Sequence, residues 1–185
     1  MRYFVGFLLT IGLIILLIIL LFGGGGKPKS PLVNKTLSSY SNTNAQAILT
    51  IDGPINADSL HQQVRITVDK DNVTYEQIQG YEGNVVNMQN FANTENAYNV
   101  FLHALAHAGF KKGNTDKNLQ DEKGYCPLGR RYIMGLKQDN KDIERFWGTS
   151  CGGTKTYGGN LSLTVTLFQK QIPGYDELTG TLNNL

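Results

Sequence analysis

The chain has 185 residues, with 17 Lys and Arg against 15 Asp and Glu, a formal net charge of +2. Arg2 is the only charge before Lys27, so the remainder carries sixteen basic and fifteen acidic residues, a net of +1. That balance argues against a dedicated nucleic-acid binder, which presents a strongly basic face. The roughly 140 residues after position 44 suffice for one domain with a real core.

Residues 3–22 form an uncharged apolar run. Twenty residues at helical rise span ~30 Å, the thickness of a bilayer's hydrocarbon core. The run predicts a transmembrane anchor over residues 1–22. A cleaved signal peptide is the rival, but its apolar core is shorter, about 7–15 residues. Arg2 on one side and Lys27 and Lys29 on the other leave the positive-inside rule nearly balanced. The cysteines and the polar C-terminal part favour the N-terminus inside and the bulk outside. Residues 23–44 (GGGGKPKSP, then a Ser/Asn/Thr-rich stretch) read as a linker. An extracytoplasmic domain is then expected over residues 45–185.

Within that domain, 46–52 (QAILTID) reads as a first strand, ended by Gly53-Pro54, with a short turn near 56–60. In 63–69, Val64, Ile66 and Val68 alternate with polar residues, the period of a half-buried strand. Lys70-Asp71-Asn72 turns the chain, 73–79 returns beside it, and a further strand is expected around 84–88. Asn93 or Thr94 caps a helix that runs to about Ala108 and stops at Gly109. Its apolar face holds Ala97, Tyr98, Phe101, Ala104, Leu105 and Ala108.

A polar loop follows over 113–124, holding part of a local basic excess: Lys111, Lys112, Lys117, Lys123, Arg130, Arg131 and Lys137. Interleaved acids make this a solvated surface, with weak contact to anionic polymer or lipid headgroups as the alternative. Residues 131–137 and 143–147 read as a hairpin around the turn at 138–142. Cys126 and Cys151 lie just outside it, placed to staple its open end with a disulfide in an oxidising compartment. No C-x-x-C spacing supports a redox pair. In 160–168 (NLSLTVTLF), Leu161, Leu163, Val165 and Leu167 alternate, predicting a last strand. Strands, one helix, then strands give an α+β class: a mainly antiparallel sheet with one packed helix and one disulfide-stapled hairpin.

Candidate chemistry is sparse. His103 and His107 stand four apart on the helix, a metal-ligand spacing, but the Glu of the metalloprotease signature is replaced by Ala104. The only other histidine is His61. No P-loop, no G-x-G-x-x-G opening a helix and no G-x-S-x-G occurs, so no cofactor and no catalytic residue is nominated. Tyr125, Tyr132, Phe146, Trp147 and Tyr157 concentrate around the hairpin. Exposed, they would suit stacking on a carbohydrate or a protein partner; otherwise they fill the core.

The segment 124–176, with G-Y-C-P-L-G-R-R-Y, F-W-G-T-S-C and L-F-Q-K-Q-I-P-G-Y-D, resembles uncharacterised single-span envelope proteins of ultra-small bacteria of the Saccharibacteria type. The resemblance covers the anchor and the C-terminal third, and implies location without activity. Type IV pilin-like subunits also join an apolar N-terminal helix to a sheet domain with a C-terminal disulfide loop. Here the basic leader and the Glu early in the apolar run are missing, and Gly23–Gly26 interrupt the helix. The expectation is a non-enzymatic, membrane-anchored domain that binds a protein or cell-wall partner. An envelope enzyme and a pilin-like or secretion-apparatus subunit are the alternatives.

Overall fold

The computed structural model describes residues 35–153, 155–180 and 182, together with Gly12. The expected anchor, apart from Gly12, and the start of the linker therefore lie outside the described residues. Among those described, no helix is long and apolar enough to cross a membrane. The chain divides into two compact units, Met1–Lys35 and Thr36–Leu185; the second is the domain described below.

Six strands form one sheet: β1 (Ala45–Asp52), β2 (Gln62–Val68), β3 (Asn72–Gln79), β4 (Asn84–Ala92), β5 (Arg131–Gln138) and β6 (Lys141–Thr149). Their order is β4-β3-β2-β1-β5-β6, with every neighbouring pair antiparallel. Turn chemistry sets the hairpins. At the β2–β3 turn the Asp69 carboxylate accepts from the Asp71 and Asn72 amides at 2.9 and 2.8 Å. Between β5 and β6, Asp139 and Asn140 both take positive φ (50° and 62°), as a two-residue turn matched to strand twist requires.

Alternation divides the sheet into two faces. Ala47, Leu49 and Ile51 of β1 line up with Val64, Ile66 and Val68 of β2 and with Met134 and Leu136 of β5, all buried. Helix α1 (Glu95–Ala108) lies on this face. Thr94 caps it, its side chain accepting from the Ala97 amide, and Gly109 ends it at φ 81°. The Phe110 amide then reaches back to the Leu105 carbonyl at 3.0 Å. Tyr98, Phe101, Leu105 and Ala108 are buried as expected; Leu102 joins them, while Ala97 stays exposed. The Tyr98 hydroxyl donates to the Ala45 carbonyl at 2.9 Å, tying α1 to β1.

Two expectations are corrected. Residues 161–169 form a helix, α2 (Leu161–Gln169), rather than a strand. Asn160 caps it, its side chain accepting from the Leu163 amide at 3.0 Å. Thr164 and Phe168 are fully buried, and Leu161 and Val165 are half-buried. The buried row is thus i, i+3, i+4, i+7. The Thr164 hydroxyl meets the Tyr157 hydroxyl at 2.6 Å, satisfying both groups in the core. Phe168 packs edge-on against Phe101, centroids 5.1 Å apart. A short helix, α3 (Tyr175–Thr179), follows, so among the described residues of this domain three α-helices stand where one was expected.

The second correction concerns the linker. Leu37 and Tyr40 sit in a 3-10 turn (Leu37–Tyr40) at 2% and 5% exposure and belong to the core. The folded domain therefore begins near Thr36 rather than Ala45.

Candidate functional site

The helices cover one face of the sheet. On the other, alternate residues of β1, β2, β5 and β6 point out together: Thr50 and Asp52, Gln63 and Arg65, Arg131 and Ile133, Arg145 and Trp147. Two segments rise beside them. One is the β1–β2 connection from Gly53 through the 3-10 turn Asp58–Leu60, with Tyr81 bonded against it at Asn56, and the other is the long loop between α1 and β5. The Ile55 amide donates to the Pro127 carbonyl at 2.7 Å, joining the two. Between them lies a cleft of about 580 Å³, lined by Thr50, Asp52, His61, Gln63, Arg131 and Arg145 among others. A second cavity of about 490 Å³ shares Thr50, Ile133 and Arg145 and continues past Arg65, Glu76 and Lys137.

At the cleft floor three ionisable side chains meet. Arg131 (3% exposed) and His61 (0%) are buried. Asp52 pairs with both, Oδ2 with the Arg131 guanidinium at 2.6 Å and Oδ1 with His61 Nε2 at 2.9 Å. Arg131 also donates to the Gly53 carbonyl at 2.9 Å. His61 Nδ1 faces the Pro54 carbonyl at 3.1 Å; a carbonyl only accepts, so Nδ1 carries a hydrogen. The Gln63 amide nitrogen also lies 3.1 Å from His61 Nε2, so that ring nitrogen faces both Asp52 and Gln63. Burial pushes the Asp52 carboxyl above its usual range, outweighing the pull of Arg131 and His61 in the other direction. Tyr81 stacks on the His61 ring, centroids 4.0 Å apart. Its hydroxyl is held by the Asn56 backbone, donating to the carbonyl at 2.9 Å and accepting from the amide at 3.1 Å.

The opposite wall is fixed from β6. Arg145 donates to the Glu122 carboxylate and the Gln120 carbonyl, both at 2.5 Å, and the Trp147 indole donates to the Leu119 carbonyl at 2.7 Å. The disulfide between Cys126 and Cys151 closes the same wall, as expected from sequence, with Cα atoms 5.7 Å apart. It stands one residue from Pro127, the contact that joins the walls.

The sequence-predicted aromatics do not form one surface. Trp147, Phe146 and Tyr157 are 0%, 3% and 1% exposed, so they are core and not a stacking platform. Register also separates them: Tyr132 lies with Ile51 on the helix face, whereas Trp147 opposes Ile133 on the other. Tyr125 is half-buried against Trp147, centroids 4.8 Å apart. His103 and His107 are exposed on α1. Among the described residues no group of three or more His, Cys, Asp or Glu is placed to hold a metal ion. Arg131, assigned to the basic surface from sequence, is instead buried beneath the cleft.

Of the cleft, sequence reasoning singled out only Lys123 and Arg131, within a basic surface whose alternative was weak contact with anionic polymer or lipid headgroups. Asp52, His61 and Arg131 come from three separate segments; the one local signal was an acid ending an apolar strand just before Gly53-Pro54. No family model, curated protein or solved structure matches the chain.

Proposed function

We propose that this is a binding module of the cell envelope, held by its N-terminal apolar run with the domain outside the membrane, and that its ligand lies along the uncovered face of the sheet. One observation carries the reading: six strands are covered by helices on one side only, and the other side holds two confluent cavities between walls joined by a disulfide-adjacent contact. Ligand sites are concave and carry a few convergent polar groups. Here apolar Ile55 and Ile133 alternate with Gln63, Lys123 and Arg145. Acids and bases interleave along the groove, which suits an extended polar chain, a cell-wall polymer or a protein segment, better than a uniformly charged one.

A second reading is an envelope enzyme. The favouring observation is that two carboxylates, Asp52 and Glu122, share the cleft, one of them pushed up by burial beside an imidazole. Against it, both carboxylates are tied to arginines.

Photo-crosslinking in intact cells separates the outcomes. A photoreactive residue at Lys123 or Lys137, in the groove, should trap a specific partner, and one at Val100, on α1, should not. Equal trapping at all three positions, or none at the groove, would contradict the binding reading.

A further inference from the structure

We infer that the cleft takes a neutral saccharide unit, whose apolar ring face lies on Tyr81 while the side chains around it serve its hydroxyls. This rests on the groove-binding reading above and narrows its ligand to a carbohydrate polymer.

Tyr81 supplies the open ring that the five aromatics singled out from sequence do not. His61 covers one face of it, with 15° between the two planes, and Tyr81 is still 50% exposed at the cleft. The second face is therefore the open one. The ring is also fixed to a degree that an exposed side chain seldom is. Its hydroxyl is bonded to both the carbonyl and the amide of Asn56, and the Tyr81 amide donates to the Asp58 carboxylate at 2.7 Å. A rigid aromatic loses little freedom on binding and offers an apolar plane beside polar groups. A pyranose has the matching character, with C–H groups on its faces and hydroxyls around its rim.

The floor of the cleft disfavours a protein segment. β1, β2 and β5 are each bonded to a strand on both sides, so their backbone N–H and C=O groups are spent within the sheet. A peptide laid there could not add as a strand, the mode by which sheets take extended peptides, and its own backbone groups would still need partners. Saccharide hydroxyls need only side chains, and Thr50, Gln63, Lys123 and Arg145 line the cleft. Charge points the same way. Asp52 is paired with Arg131 and Glu122 with Arg145, so a ligand meets closed ion pairs, apart from Lys123 exposed at the rim.

The test uses the full chain in a sugar-free zwitterionic detergent, with ring-labelled tyrosine and three probes: tetrasaccharides of β-linked glucose, β-linked N-acetylglucosamine and α-linked mannose. At least one should bind at millimolar concentration or tighter, with nuclear Overhauser contacts from the Tyr81 ring to sugar C–H protons. Tyr81→Ala should weaken that binding at least tenfold, and Tyr81→Phe should recover it. Circular dichroism checks both folds, and the Overhauser contacts in the unaltered chain decide should Tyr81→Ala misfold. Binding of none of the three, binding without contacts to Tyr81, or a folded Tyr81→Ala chain that binds as tightly as the unaltered one would each overturn the inference. The groove reading is judged separately: a protein crosslinked at Lys123, with no tetrasaccharide bound, would leave that reading standing and overturn this one.

Discussion

Asp52 is the residue on which the cleft turns, because it answers both Arg131 and His61. Removing the arginine strands a mostly buried carboxylate, and breaking such a pair costs about 3–5 kcal/mol. Asp52 keeps 15% side-chain exposure, so Arg131→Met should fall at the lower end, about 3 kcal/mol by urea denaturation. Adding Asp52→Asn should recover part of that loss, since no charge then remains unanswered; a double variant less stable than Arg131→Met alone would contradict the pairing. The raised Asp52 carboxyl has its own signature. As pH rises past the usual 3.8, the unfolded chain releases this proton first and the folded chain keeps it. The folded state then holds more protons, so this group's contribution is full below 3.8 and declines as pH climbs through the folded value. Carboxyl-carbon NMR should show the Asp52 inflection above 3.8, and an inflection below it would mean that Arg131 outweighs burial. Tyr75 gives the alkaline counterpart. Burial pushes its hydroxyl from 10.0 up to about 12, with Tyr175 adding to the shift. Stability should therefore fall as pH rises from 10 toward 12, and Tyr75→Phe should flatten that slope.

Individual elements show what sequence patterns can and cannot carry. The strands β1 and β2 were legible because alternation at period two fixes which residues face the core. The helix α1 was legible from its caps as much as its stripe: Thr94 and Gly109 stand where they were expected. The disulfide-stapled hairpin followed from turn residues and cysteine positions alone. The last segment misled because Leu161, Leu163, Val165 and Leu167 imitate a strand. The deciding residues were Asn160, a cap, and Thr164, a polar residue buried only because Tyr157 supplies its hydrogen bond. That partner lies outside the segment, so local periodicity could not reveal it. The cleft was illegible for the same physical reason on a larger scale: its charges meet only when the strands pair, and of the three only Arg131 had been assigned a role, as part of a solvated surface. At this scale, Asn160→Ala should cost about 1 kcal/mol through the lost cap; no change in a thermal melt would count against the capped helix. Replacing Cys126 and Cys151 with alanine frees a 25-residue separation and should cost ~3–4 kcal/mol in chemical denaturation. Because the bridge adjoins the Pro127–Ile55 contact, faster exchange of the Ile55 amide should accompany that loss. Unchanged exchange would show that the wall is held without the disulfide.

As a whole molecule the chain joins an apolar run of bilayer length to a disulfide-bonded domain with one covered and one open sheet face. Under the proposed function the apolar run holds the domain outside the membrane, where the groove would meet extracytoplasmic partners. Mature disulfides persist in oxidising surroundings and are rare in the cytosol, so location and oxidation state stand or fall together. Both cysteines are reachable by a reagent: Cys126 is half-buried and Cys151 exposed.

Maleimide labelling of intact cells, before and after a membrane-impermeant reductant, tests that placement most directly. The predicted result is no labelling before reduction and labelling of Cys126 and Cys151 after it, without lysis. Thiols that react only once cells are lysed, and react there without reductant, would put a reduced domain in the cytoplasm and contradict the envelope-binding function.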